Sequence, residues 1–223
     1  MNHASPPTNP KLSSQYSLIN KYELVGRFAN EHGGTLLDLG ARDRVLQGYL
    51  DTSRVDYRSH DVVPNHDYTF DLEKPIPLTD RSFGIVVGLD VLEHVEHIHD
   101  AFAEMMRVAS RNVIVTLPVI NNLSWRLKFL FAGQLGAKYW LLPEHQGDHH
   151  RWVTTYSDIR RFVDVNAAKA GFHVESIHNH LERFPNRIVG KPLYALAHVA
   201  ARLNWQANGL FTRSLTIILR REA

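Results

Sequence analysis

Two acids stand 23 residues apart: Asp38 in the apolar stretch Thr35-Leu36-Leu37-Asp38-Leu39, and Asp61 at the close of residues 54–61. Gly40 follows the first acid and lets the backbone turn sharply and approach a ligand closely. An acid about 20 residues beyond such a turn can accept hydrogen bonds from the hydroxyls of a ribose. The pair therefore suits a nucleoside. A dinucleotide fingerprint is not met, because G-x-G-x-x-G demands further glycines where Gly40 is followed by Ala41-Arg42-Asp43-Arg44-Val45.

Histidine offers a second chemistry, since its proton comes and goes near neutral pH and the chain holds 14 of them. His149 and His150 lie in His145-Gln146-Gly147-Asp148-His149-His150, ahead of a helix beginning near Tyr156. They are the candidate catalytic residues, as base or acceptor contact; the alternative is a polar loop of hydrogen-bonding histidines. His145, Asp148 and His149 could surround zinc on a helix, where positions i and i+4 share a face. Gly147 disfavours a helix there, so no metal is assigned. His94-Val95-Glu96-His97-Ile98-His99 resembles a metal cluster in composition only and reads as a polar loop entering a helix.

The elements that must position these residues follow from periodicity. The apolar run before Gly40 suits a strand buried on both faces, as in a parallel α/β sheet, where ligands gather at the carboxyl ends of strands. Asn20 to His32 carries Tyr22, Val25, Phe28 and Ala29 at helical spacing, stopped by Gly33-Gly34. Val45 to Leu50 predicts a short helix, and Arg54 to Asp61 a second strand.

With 223 residues, 44% of them hydrophobic, the chain suits one domain with insertions. The reading is a disordered tail over 1–15 and a single domain over 16–223, with insertions at about 119–148 and 183–212. The absence of cysteine excludes disulfides and thiolate metal sites and favours a cytoplasmic home. Nothing in the first thirty residues resembles a signal peptide, and no apolar run approaches the roughly 20 residues of a membrane span. The net charge of +2 hides an asymmetry: residues 1–117 carry −5 and residues 118–223 carry +7. The basic half could steer an anionic substrate or a phosphate-bearing surface, or be a solvated face without a partner.

From Phe70 to Val95 the sequence becomes specific. It matches Asp71, Pro77, Leu78, Asp80, Ser82, Phe83 and Val86 of a segment ending in "S-F-D-x-V", then Val91-Leu92-Glu93-His94-Val95 of "v-L-E-H-v". The order of these motifs resembles class I S-adenosylmethionine-dependent methyltransferases, of the group that includes the quinone-biosynthesis enzymes. Residues 101–109, with Glu104 and Arg107-Val108, resemble that family's helix "l-x-E-x-x-R-V"; 112–118 resemble its fifth strand, and Ala170-Gly171-Phe172 its "a-G-F". The resemblance spans about residues 33–182 plus the last strand. It implies a Rossmann-like seven-stranded sheet with an antiparallel last strand, helices on both faces and helical insertions.

Carried to matching positions, the resemblance implies that Asp38, Gly40 and Ala41 border the methionine part of the cofactor. Asp61 would take the ribose, Asp71 and Leu72 the adenine, and Leu89 and Asp90 would lie near the sulfonium. The chain departs from the family at Arg42 and Arg44, where glycines are usual and bulk would narrow the approach, and at Gly84, where Asp is usual.

Two insertions remain. In the first, Leu127, Leu130, Phe131 and Leu135 share a helical face beside Arg126, Lys128 and Lys138. It is expected to act as a lid or to pack on the core, with contact at a membrane surface as the alternative. In the second, Pro192 to Asn208, Leu196, Val199, Ala200 and Leu203 share a face expected to pack on the sheet or lid, or to form a dimer contact. The expected function is O-methylation of a small or lipid-linked metabolite with S-adenosylmethionine as cofactor. A non-catalytic binding or scaffold protein of the same fold is the alternative. A nucleic-acid acceptor is disfavoured, because Leu89-Asp90-Val91-Leu92 stands where an Asn-Pro-Pro-Tyr-type motif would be. The sequence specifies no oligomeric state.

Overall fold

A computed structural model describes residues 14–133, 137–139, 149–181, 190–203 and 209–222. Eight strands form one sheet: β1 (Ser14–Ser17), β2 (Gly34–Leu39), β3 (Val55–Asp61), β4 (Tyr68–Thr69), β5 (Phe83–Leu89), β6 (Ala109–Pro118), β7 (Phe172–Leu181) and β8 (Thr212–Arg221). Their order is β1-β7-β8-β6-β5-β2-β3-β4. β8 runs antiparallel to both its neighbours, and every other pairing is parallel.

The expected seven strands are present, and β1 is the correction to both the strand count and the tail. Ser14 and Gln15, placed in the tail by composition, pair instead with Ile177 and His178 of β7. The edge of β7 offers unpaired backbone groups, and Asn179 donates hydrogen bonds to Ser14 Oγ and the Gln15 carbonyl. Residues 1–13 lie outside the described residues.

Alternation along the strands builds two cores. Leu37, Leu39, Val86, Val113 and Val115 face one way, against α2 (Ile98–Val108) and α4 (Tyr156–Lys169). Leu36, Ile85, Val87 and Ile114 face the other, against Val25 and Ala29 of α1 (Lys21–His32). Three layers result, as burying both faces of a parallel sheet requires. Side chains set the helix starts: Asn20 accepts the Glu23 N–H and Thr155 accepts the Asp158 N–H.

The two inserted helices pack differently from expectation. α3 (Leu123–Ala132) buries none of its residues; Leu130 is 73% exposed and Phe131 81%. α5 (Gly190–Arg202) buries Ala197 and Ala200 against Phe211, whereas Leu196 and Val199 of the expected packing face, and Leu203 just beyond the helix, are exposed. Small alanines allow the helix close to the body of the fold, so the larger residues beside them point outward. Leu135 and residues 204–208 of the expected elements lie outside the described residues.

Arg107 ties the loop before β5 to α2. Its guanidinium donates to the carbonyls of Ile76 and Leu78, at 2.8 Å each, and to Asp80 and Glu104. Glu104 in turn accepts the Ile76 N–H. Arg27, by contrast, makes an exposed pair with Glu23. Arg107→Ala is therefore expected to lower unfolding free energy by about 2 kcal/mol, and Arg27→Ala by less than about 0.5 kcal/mol, in urea titrations. Equal effects would show that the Arg107 network does not hold the loop.

Candidate active site

The carboxyl ends of β2, β3, β5 and β6 meet at one edge of the sheet, and β8, being antiparallel, brings its beginning there. They border a cleft of about 1460 Å³. All eight residues expected around the cofactor line it: Asp38, Gly40, Ala41, Asp61, Asp71, Leu72, Leu89 and Asp90. His150 lines it too. His149 is not among the lining residues and contributes its carbonyl oxygen, which accepts the His94 Nδ1–H at 2.9 Å.

The turn after β2 is left-handed at Gly40 (φ +69°), Arg42 (φ +44°) and Arg44 (φ +53°). The structure accommodates the two arginines by binding them. Arg44 donates to Ser59 Oγ and to the Asn65 carbonyl and does not line the cleft; the Arg42 backbone N–H donates to Asp61 Oδ2 at 3.0 Å. Gly40 has no such freedom. A Cβ there would lie 2.5 Å from Val91 Cγ2.

Asp61 is oriented by the backbone, its other oxygen accepting the Val62 N–H at 2.8 Å. A carboxylate has lone pairs for about four hydrogen bonds, so capacity remains toward the cleft. Asp38 is 4% exposed, and Tyr57 donates its hydroxyl to Asp38 Oδ2 at 2.9 Å. Burial pushes the Asp38 carboxyl up to about 7, against the opposing pull of Tyr57 and Lys21. Lys21, at the start of α1, is ion-paired with Asp90, itself left-handed at φ +55°.

Beyond Asp90 the cleft turns to histidine and tyrosine. Residues 149–152 are strapped to 93–95: Arg151 N–H donates to the Glu93 carbonyl, Arg151 Nε to the His94 carbonyl, and Trp152 Nε1 to the Val95 carbonyl. His150 Nδ1 lies 2.8 Å from the Tyr139 hydroxyl, and its ring stands edge-on to His94 with centroids 4.7 Å apart. The Thr154 hydroxyl donates to the Pro118 carbonyl at 2.7 Å. Glu93 is 1% exposed, and burial, with the Asp90 charge adding, pushes its carboxyl well above the usual range.

Sequence reasoning missed Lys21, Tyr139 and His180. His180 lines the cleft, hydrogen-bonds Thr216 Oγ1 at 2.8 Å, and is pushed down to about 4 by burial, so it is neutral. No local motif marks these three; they reach the cleft from α1, an insertion and β7. His145 and Asp148 lie outside the described residues.

Two consequences are measurable. Gly40→Ala adds left-handed strain to overpacking, so thermal or urea unfolding should show a loss of about 2–4 kcal/mol. Val91→Ala on that background should restore only part, because the residue 91 Cβ is itself 2.9 Å from the new methyl. Asp38 holds its proton more tightly folded than unfolded, so its contribution to stability is greatest below pH 4 and is lost as pH rises from about 4 to 7. Asp38→Asn should therefore unfold at higher temperature than wild type at pH 8, by up to roughly 4 kcal/mol, with the gap closing toward pH 4. A gap independent of pH would refute the buried-carboxyl account.

Comparison with known proteins agrees with this geometry. Residues 47–117 match the family model described as "Methyltransferase domain". No curated protein matches the sequence. Among solved structures, magnesium protoporphyrin IX methyltransferase from Synechocystis PCC 6803, with bound SAH, aligns with TM-score 0.53 and 16% identity over 90% of this chain and 82% of that one. A SAM-dependent methyltransferase from Archaeoglobus fulgidus aligns with TM-score 0.53 and 12% identity, over 91% and 95% of the two chains. The 4+2 cyclase SpnF aligns with TM-score 0.56 and 12% identity, over 96% and 87%. At these identities the alignments establish the fold, which SpnF shows hosting another chemistry. Residues 47–117 thus match a methyltransferase domain, and the chain as a whole has the class I, Rossmann-like fold that S-adenosylmethionine-dependent methyltransferases share.

Proposed function

We propose that the protein transfers a methyl group from S-adenosylmethionine to an oxygen of a small or lipid-linked metabolite. The observation that carries this reading is the convergence of the eight expected cofactor residues and His150 on one cleft. Its volume exceeds the roughly 300–1000 Å³ of a pocket for one small ligand, which leaves room for cofactor and acceptor together.

The residues present fit the cofactor. Gly40 lets the backbone come close, Asp61 keeps lone pairs for ribose hydroxyls, and Leu72 and Leu89 offer apolar surface at the positions matched to adenine and sulfonium. Asp38 is suited to an ammonium group, whose charge favours its ionised form. When bound, S-adenosylmethionine supplies a methyl group activated by the sulfonium, and displacement depends chiefly on alignment. At the acceptor end His150, held by Tyr139, offers Nε2 as the proton acceptor for a hydroxyl.

The acceptor side is walled by Trp125 of α3 and by Tyr194 and His198 of α5. Both helices also expose large apolar residues, Phe129, Leu130 and Phe131 on α3 and Leu196 and Val199 on α5. Lys128 lies over the Trp125 ring at 4.7 Å. Apolar and basic groups together favour a lipid-linked acceptor presented at a membrane surface. No helix among the described residues is long and apolar enough to cross a membrane.

Calorimetry with S-adenosylmethionine and S-adenosylhomocysteine tests the first half of this reading. Wild type should bind both, Asp61→Ala should bind about 10–100-fold more weakly, and affinity should fall as pH drops below about 7 as Asp38 regains its proton. Radiolabelled methyl transfer should then appear in hydroxyl-bearing lipid extracts. Wild-type protein that binds neither compound would overturn the reading in favour of a binding or scaffold protein.

A further inference from the structure

Glu93, His94 and His150 converge at the acceptor end of the cleft: a carboxylate oxygen and two imidazole nitrogens all lie within 4.8 Å of one another. His150 Nε2 is 3.9 Å from Glu93 Oε1. Three features set this group apart from an ordinary polar cluster. Glu93 is 1% exposed, and its Oε2 has no hydrogen-bond partner among the described residues, which is costly for a buried carboxyl group. The ring proton of His94 is committed to the His149 carbonyl through Nδ1, so its lone pair is on Nε2. His150 sets Nδ1 against the Tyr139 hydroxyl at 2.8 Å, so Nε2 is the nitrogen turned toward Glu93.

We propose that Glu93, His94 and His150 bind a divalent first-row transition metal ion, with Zn²⁺ as its representative. Two imidazoles and a carboxylate are ligands of the borderline class that Zn²⁺ prefers, and a set of three leaves coordination positions open. Histidines that bind metals characteristically donate the opposite ring N–H to a carbonyl or similar acceptor, which fixes the tautomer. His94 does so before any ion is present. Tetrahedral zinc with bonds of about 2.0–2.1 Å sets neighbouring ligand atoms roughly 3.3 Å apart, so the side chains draw inward by about 1 Å on binding. The backbone straps between 93–95 and 149–152 keep the three ligands from separating.

Metal binding stands independently of the methyl-transfer reading, whereas the role of the ion rests on it. An acceptor hydroxyl taken at an open position would lose its proton to water, because the cation lowers its pKa. His150 then serves as a ligand rather than as the base. The ion would also favour acceptors with two neighbouring oxygens, which can occupy two open positions at once.

The test uses untagged full-length protein, stripped with EDTA and titrated at neutral pH with Zn²⁺ and then Mn²⁺ by calorimetry, with bound metal counted by elemental analysis. One ion per chain is expected. Glu93→Gln and His150→Phe, each checked for folding by circular dichroism, should weaken binding by about 100-fold, and His173→Ala, on the exposed side of β7, should leave it unchanged. X-ray absorption of the Zn²⁺-loaded wild type should show two imidazoles among the ligands, a readout that needs no variant to fold. Failure of both ions to bind stoichiometrically, or a spectrum without two imidazoles, overturns the proposal. Neither result touches the calorimetry with S-adenosylmethionine, so the two readings fail separately.

Discussion

Gly40 and Val91 touch with no room for a methyl group between them, and this contact fixes how the ends of β2 and β5 meet. Each strand end carries one wall of the cleft, residues 38–43 on one side and 89–94 on the other. Sheet register brings the two walls level: Leu39 pairs with Gly88, so Gly40, just past β2, stands level with Leu89, the last residue of β5. Everything downstream depends on that alignment. Asp90 turns left-handed to reach Lys21, the following turn lifts Glu93 and His94 into the cleft, and the 149–152 segment fastens onto them.

The histidine end is organised by hydrogen-bond accounting rather than by any single strong interaction. A main-chain carbonyl, which can only accept, determines that His94 donates through Nδ1. Direction matters here because an imidazole acts as base or ligand only through the nitrogen without its proton. The fold thus sets the chemical state of His94 through a group that takes no part in the chemistry.

Much of this was legible in the sequence. The strands 34–39 and 83–89 declare themselves by apolar runs, the largely polar 55–61 is marked by its closing acid beyond the glycine turn, and the family resemblance supplied the eight residues now found along the cleft. Glu104 and Arg107 were visible as a motif, though their reason, the clamp on the 76–80 carbonyls, needed three dimensions. What stayed hidden falls into two kinds. β1 is short and polar, and its pairing is decided by β7, more than 160 residues away, where no local pattern can report it. The convergence of Glu93, His94 and His150 joins two segments separated by an insertion. Sequence reasoning saw His94 as part of a polar loop entering a helix and His150 as a candidate base, and only contact between them changes what each can do. The apolar faces of α3 and α5 show the converse: periodicity located those residues correctly but could not say that the face would be left toward solvent.

β1 has a consequence for the order in which the molecule is completed. It lies at the start of the described chain, yet it pairs only with β7, near the other end. During synthesis, residues 14–17 leave the ribosome first and have no partner until residues 172–181 have followed, so a long loop must close before this pairing is rewarded. The stretch from Ser17 to Tyr22, which continues from β1, forms part of the rim of the cleft. The nascent protein can therefore assemble β2, β3, β5 and β6 while one wall is still absent. β1 joins the sheet only through β7, and β7 only through β8, so a truncated chain lacking β7 would lose not just part of the sheet but the support of one side of the site.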